Sequence, residues 1–209
     1  MADTLFGYAG KILEVDLTSH SSKTIEVTPD FARKYLGGVG FAAYFLWSRV
    51  KPGIDALGPD NLLMFMTGPM TGTGASGTRW SAAFKSPHTG AWARTAMGGD
   101  MGPELKYAGW DGIIVTGKSD APVYLSINNG KVQFKDARQL WGKDTHETTL
   151  AIEAELKDKL VKVACIGPAG ENKVVYASIN TEYFRAFGRL GGGAVMGAKN
   201  LKAIAIRGT

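Results

Sequence analysis

Glycine constrains this chain more than any other residue. It fills 28 of 209 positions, about 13% against an ordinary share of about 7%. Glycine permits positive φ and close approach of backbone to a neighbour or ligand, and it weakens long regular elements. Its distribution is tied to charge. Residues 61–99 contain no Asp or Glu, while Arg79, Lys85 and Arg94 supply three positive charges. Residues 183–209 also lack acids, and Arg185, Arg189, Lys199, Lys202 and Arg207 supply five. Since the formal net charge is only +5, the rest of the chain is acidic on balance. Both basic segments are glycine-rich. Open backbone N–H groups beside Arg or Lys suit anionic oxygens; the plainer alternative is a solvated basic face with tight turns.

Between the glycines the elements are short. Residues 10–17 alternate, turn at 18–22 and return at 23–27, which predicts a hairpin. Asp30 is a candidate cap for a short helix ending at Gly37-Gly38, and residues 41–50 form a dense apolar helix stopped near Pro52-Gly53. Residues 62–66 (LLMFM) and 111–116 read as buried strands, 79–85 as extended and 103–108 as one or two helical turns. Asn129-Gly130 joins strands at 122–127 and 131–135. Asp144 and Glu147 form a capping box before Ile152, Leu156 and Leu160 at helical spacing. Strands at 162–166, 174–180 and 201–206 complete a count of roughly ten strands and four helices. Strict β-α-β alternation is missing, so the expected class is α+β: two packed β-sheets flanked by a few helices, in one domain over 1–209.

Composition narrows the functional classes. Hydrophobic residues at 44% and charged residues at 21% are ordinary for a soluble domain. No apolar run approaches the roughly 20 residues a membrane helix needs, and the first ten residues lack the pattern of a secretory leader. One cysteine, Cys165, leaves no intrachain disulfide and no thiolate cluster, so a reducing cytoplasm is the expected compartment. The basic segments show neither a helical basic stripe nor an aromatic RNA-binding signature, and no nucleic-acid partner is expected.

Two motifs match a pattern and fail its mechanism. GTGASG at 72–77 has dinucleotide-binding spacing, but the following residues are extended where a helix N-terminus is required. GIIVTGKS at 112–119 matches a phosphate loop letter for letter, yet its centre is β-branched strand and Asp-Ala-Pro follows instead of a helix. His20, His88 and His146 are scattered without metal-ligand spacing.

A more specific pattern runs collinearly through nearly the whole chain. It comprises GKILEVDLT at 10–18, TGPMTGT at 67–73, KSPHTG at 85–90, Gly98-Gly99 and GPELKYAGWD at 102–111. It continues with LWGK at 140–143, IGPAGEN at 166–172 and GRLGGGAVMGAKNLKAI at 188–204. Together these segments resemble the N-terminal domain of the aldehyde ferredoxin oxidoreductase family. That resemblance implies two sheets forming a base for two pyranopterins, whose dithiolene sulfurs hold one tungsten (or molybdenum) and whose phosphates are bridged by Mg. The metal then needs no protein side chain, in keeping with a single cysteine.

By resemblance, the pterin-contacting arginine after the TGT loop falls on Arg79. The family's Asn-x-Gly-Gly site falls on Ala96, Gly98 and Gly99, with Ala96 in place of Asn. The later Arg-Ala pair falls on Arg185 and Ala186. Mg is expected on the backbone oxygens of Ala96 and Ala186. The family's [4Fe-4S] ligands and substrate tunnel lie in later domains, so this chain alone is not expected to turn over, and its catalytic residues are unassigned. The resemblance implies a cofactor-cradling domain or subunit of an enzyme oxidising aldehydes to carboxylic acids. Its partners would be the missing domains or an Fe–S subunit, with ferredoxin or another electron carrier; a homo-oligomer is compatible. The alternative is a cofactor-free assembly or cofactor-storage module that kept the fold.

Overall fold

The computed structural model describes residues 5–77, 79–182 and 184–209. Two six-stranded mixed sheets form its centre. The first is built from β1 (Lys11–Asp16), β2 (Ser21–Glu26), β3 (Leu63–Met66), β4 (Trp80–Lys85), β5 (Trp92–Met97) and β6 (Gly112–Thr116), in the order β2-β1-β6-β3-β4-β5. The second contains β7 (Val123–Asn128), β8 (Lys131–Asp136), β9 (Lys162–Cys165), β10 (Ile179–Thr181), β11 (Arg185–Phe187) and β12 (Leu201–Arg207), in the order β11-β10-β9-β12-β7-β8. The pairs β1/β6 and β7/β12 are parallel, and the other ladders are antiparallel.

Side-chain alternation sorts these strands into layers. Leu63 and Phe65 of β3, with Trp80 and Phe84 of β4, enter a core shared with Ile179, Phe187 and Ile204 of the second sheet. Met64 and Met66 point the other way, onto Phe41 and Phe45 of helix α2 (Val39–Arg49). The outer face of the second sheet packs Val163, Cys165 and Ala203 against Ile152 of helix α4 (Thr145–Leu156). The architecture is therefore helix, sheet, sheet, helix: α+β with two packed sheets, as the sequence predicts.

Local signals hold where chemistry fixes them. Asn129 and Gly130 both take positive φ, 45° and 82°, as a type I′ hairpin turn requires. The α4 box closes in both directions: the Glu147 N–H donates to Asp144 Oδ1 at 2.8 Å, and the Asp144 N–H to Glu147 Oε2 at 3.0 Å. Helix α1 (Pro29–Tyr35) is capped by Thr28 rather than Asp30, because Pro29 opens the helix and the Thr28 hydroxyl reaches the Phe31 N–H at 3.2 Å. Leu160 lies beyond α4, which stops at Leu156 before Lys157 turns left-handed.

Three further differences have physical causes. Strand β5 escapes the hydrophobic pattern because its inward residues are Ala93, Thr95 and Met97 while Trp92 faces outward. The strand expected over 174–180 shrinks to β10; residues 174–177 turn instead, with Val174 N–H donating to Ala169 O and Ala177 N–H to Val174 O. Helix α6 (Gly192–Ala198), against the helix propensity of its glycines, is buried from end to end. It packs on the short helix α5 (Pro168–Glu171) so closely that any side chain at Gly197 would strike the Gly170 backbone.

Candidate cofactor-binding face

Strands β5 and β11 are the edges of their respective sheets, and they lie against each other without a shared ladder. Every site residue expected from the sequence sits on or beside this junction.

The first half is built on the loop after β3. Thr67 is tied to Asp111 O through both its N–H (2.9 Å) and its hydroxyl (2.7 Å). Asp111 is fully buried, accepts from the Ala9 and Gly10 N–H groups at 3.0 and 2.8 Å, and pairs with Lys106. Gly37 and Gly38, both at positive φ, press the start of α2 onto this loop, with Gly38 N–H donating to Thr67 O at 2.8 Å. Thr71 Oγ1 accepts from the Gly68 N–H at 3.2 Å and donates to Arg79 O at 3.3 Å. The backbone of Arg79 is thereby fixed, while its side chain is exposed and makes no hydrogen bond or ion pair among the described residues. Thr78, just before it, lies outside the described residues.

Antiparallel register sets Trp80 opposite Met97 and Ser81 opposite Ala96, so one further step brings Arg79 level with Gly98. Ala96 is half-buried on the outward face of β5, as are Gly98 and Gly99 beyond it. Gly99 turns at φ 95°.

The second half is β11, which pairs Arg185 with Thr181 and Ala186 with Asn180. Arg185 is about half exposed, with Nε 3.4 Å from Glu182 Oε2. The next residue but one, Phe187, packs its ring 5.1 Å from Trp80 and 5.8 Å from Phe65. That aromatic contact crosses from sheet to sheet and holds the Arg185–Ala186 strand near the start of β4. Ser86 adds another tie: its hydroxyl donates to Leu190 O at 2.8 Å and accepts from the His88 and Thr89 N–H groups. The two basic segments are therefore brought together in space.

This face has the attributes of an anion site. Two guanidiniums are exposed, glycine removes side-chain bulk between them, and edge strands turn unpaired backbone groups outward. Among the described residues no group of three or more His, Cys, Asp or Glu side chains is assembled for a metal ion. Cys165 is buried against α4, and burial pushes its thiol up to about 11. Neither of the two pattern-matching motifs opens a helix among the described residues: Arg79 leads into β4, and 112–116 is β6.

One residue at this junction was not legible beforehand. Glu182 Oε1 accepts from the Asp100 N–H at 2.6 Å and the Met101 N–H at 3.0 Å. Glu182 and Asp100 are the acids that border the two acid-free segments. The borders were visible in the sequence; their contact was not.

Comparison with known proteins gives a consistent result. A family model described as "Aldehyde ferredoxin oxidoreductase, N-terminal domain" matches residues 12–208. A tungsten-containing aldehyde ferredoxin oxidoreductase of Pyrococcus abyssi is 51% identical over 205 residues, 98% of this chain and 34% of that protein. An aliphatic sulfonate oxidoreductase WOR-like subunit of Pyrococcus furiosus is 40% identical over 225 residues, covering 98% of this chain and 35% of that protein. Among solved structures, the active-site complex BamBC of benzoyl coenzyme A reductase with 1,5-dienoyl-CoA superposes with a TM-score of 0.95 at 47% identity, over 98% of this chain and 31% of that one. The chain spans about a third of the length of the curated relatives it matches. Among the described residues no helix is long and apolar enough to cross a membrane.

Proposed function

The chain belongs to the aldehyde ferredoxin oxidoreductase family, as its N-terminal domain, and from that premise we propose that the β5/β11 face is the base on which a tungsten (or molybdenum) bis-pyranopterin rests. The observation that carries this reading is the meeting of two distant basic segments, with Arg79 and Arg185 exposed on either side of the Gly98-Gly99 turn. When bound, the metal–pterin group supplies two-electron redox chemistry. The chain's own part is to hold and orient that group.

In this reading Arg79 and Arg185 receive anionic or carbonyl oxygens of the pterins. Planar guanidinium donors suit them, and each charge-assisted contact is worth about 1.5–3 kcal/mol. Gly98 leaves room for a flat ring to approach the backbone, while the space a side chain at Gly99 would fill is taken by Glu182 and Arg185. Ala96 and Ala186, one on each edge strand, would offer backbone oxygens to Mg. The side-chain hydrogen bond that Asn would make at position 96 is lost here. The [4Fe-4S] cluster and the substrate pocket belong to the remaining two-thirds of the relatives' length, or to a partner subunit. Oxidation of aldehydes to acids with ferredoxin as acceptor is the activity proposed for that whole assembly, in a cytoplasmic and anaerobic setting. Its substrate is chosen outside this face.

Arg79→Ala and Arg185→Ala test the assignment directly. Each variant, purified anaerobically from the native host, is expected to lose metal and pterin relative to wild type. Wild-type content in both variants would overturn the site. A second reading, a cofactor-free assembly module, draws on exposed apolar side chains such as Trp47, 90% exposed on α2. It predicts no pterin in any variant.

A further inference from the structure

We propose that Glu182 is a positioning residue for the cofactor, a latch that joins the two halves of the binding face and aims Arg185 at the bound anion. The proposal rests on the reading of this face as a pterin cradle.

Glu182 occupies a left-handed backbone conformation, φ 50°, which is strained for a non-glycine residue. Its side chain is only 19% exposed, so its carboxylate must be compensated. Three partners do this. Oε1 accepts from the Asp100 and Met101 N–H groups, at the start of helix α3 (Met101–Tyr107), and Oε2 faces Arg185 Nε at 3.4 Å. Asp100 itself contributes no side-chain cap to that helix. The acceptor comes instead from the other sheet.

Gly99 makes this geometry possible. An added Cβ would run into the Glu182 carboxylate and sit 2.6 Å from Arg185 Cδ. The bare Cα is the surface on which both side chains lie. Because β5 and β11 share no ladder, these contacts take over part of the work of registering one sheet edge on the other.

The consequence for binding lies in which guanidinium nitrogen is engaged. Glu182 approaches Arg185 nearest at Nε, as an ion pair at 3.4 Å without a hydrogen bond, and among the described residues no hydrogen bond engages the two terminal nitrogens of Arg185. Those nitrogens can form a forked, two-point contact with an anion. The carboxylate is meanwhile neutralised by two N–H groups and Arg185, so its repulsion of an incoming phosphate is offset. It also occupies the Asp100 and Met101 N–H groups, leaving the anion to the arginines.

The test uses holoprotein from the native host, comparing wild type with Glu182→Gln, Glu182→Ala, Arg79→Ala and Arg185→Ala. Two quantities are read: pterin release followed by fluorescence, and amide exchange at Asp100 and Met101. Gln keeps a neutral acceptor of the same shape but loses the charge that holds Arg185. Glu182→Gln is therefore expected to release pterin about tenfold faster, the effect of one weakened charge-assisted contact, with exchange at 100–101 close to wild type. Glu182→Ala is expected to accelerate both. A purely structural Glu182 would give Gln wild-type release. If Glu182→Gln releases pterin at the wild-type rate while Arg185→Ala releases it faster, the latch is overturned and the cradle stands. If neither arginine variant releases faster, the cradle itself fails and the latch falls with it. Should Glu182→Ala not fold, the Gln variant decides alone.

Discussion

Gly99 and Arg185, remote in sequence, pack so closely that a Cβ at Gly99 would lie 2.6 Å from Cδ of Arg185. Gly99 also sits at φ 95°, where L side chains are strained. Gly99→Ala is therefore expected to cost about 2–3 kcal/mol in urea unfolding, combining backbone strain with overpacking. Gly90, at φ 71° with nothing within 4 Å of an added Cβ, is the control. Gly90→Ala should cost only about 1 kcal/mol. Equal costs at the two positions would contradict the packing described for the junction.

Motif residues outside the junction serve the fold. Lys202 is fully buried, pairs with Glu171, and donates to Lys143 O at 2.8 Å, while Glu171 Oε2 accepts the Gly142 N–H at 2.9 Å. One ion pair thus joins the LWGK, IGPAGEN and GAKNLKAI segments. Glu171→Ala leaves an uncompensated buried ammonium and is expected to destabilise by about 3–5 kcal/mol. Glu155→Ala, which breaks the more exposed pair with Lys135, should cost under about 1 kcal/mol. Equilibrium denaturation of the two variants separates them.

Lys199 gives a pH signature. It is 1% exposed, with Nζ donating to Pro59 O at 3.0 Å and Gly117 O at 2.9 Å. Burial lowers its pKa from 10.5 to about 8, against opposing pulls from Asp60 and Asp16. Below pH 8 both folded and unfolded chains hold this proton, and the group adds no slope. Between about 8 and 10.5 the unfolded chain alone retains it, so stability rises with pH through that window. The rise from pH 7.5 to 9.5 should be about 2 kcal/mol larger in wild type than in Lys199→Met. Parallel curves would mean that Lys199 does not lose its proton in that window.

Much of the fold was legible because local chemistry specified it: the Asn129-Gly130 turn, the Asp144/Glu147 box and the buried LLMFM strand each carry their own signal. Strand β5 and helix α6 were not legible, because their stability comes from contacts made elsewhere. Ala93 and Met97 become core residues only once β4 lies beside them, and the glycines of α6 only once α5 packs against it. The binding face divides in the same way. Its two basic segments showed in the charge distribution, and the resemblance named Arg79, Ala96, Gly98, Gly99, Arg185 and Ala186 within or beside them. Glu182 could not be found so, since an acid at the border of a basic segment gains meaning only from the Asp100 N–H it reaches.

Whether this face carries a metal–bis-pterin is read most simply by metal analysis combined with pterin fluorescence on protein purified anaerobically from its native host. Tungsten or molybdenum together with two pterins per metal, retained through size-exclusion chromatography, is the expected result. A well-behaved protein eluting with neither metal nor pterin would contradict it.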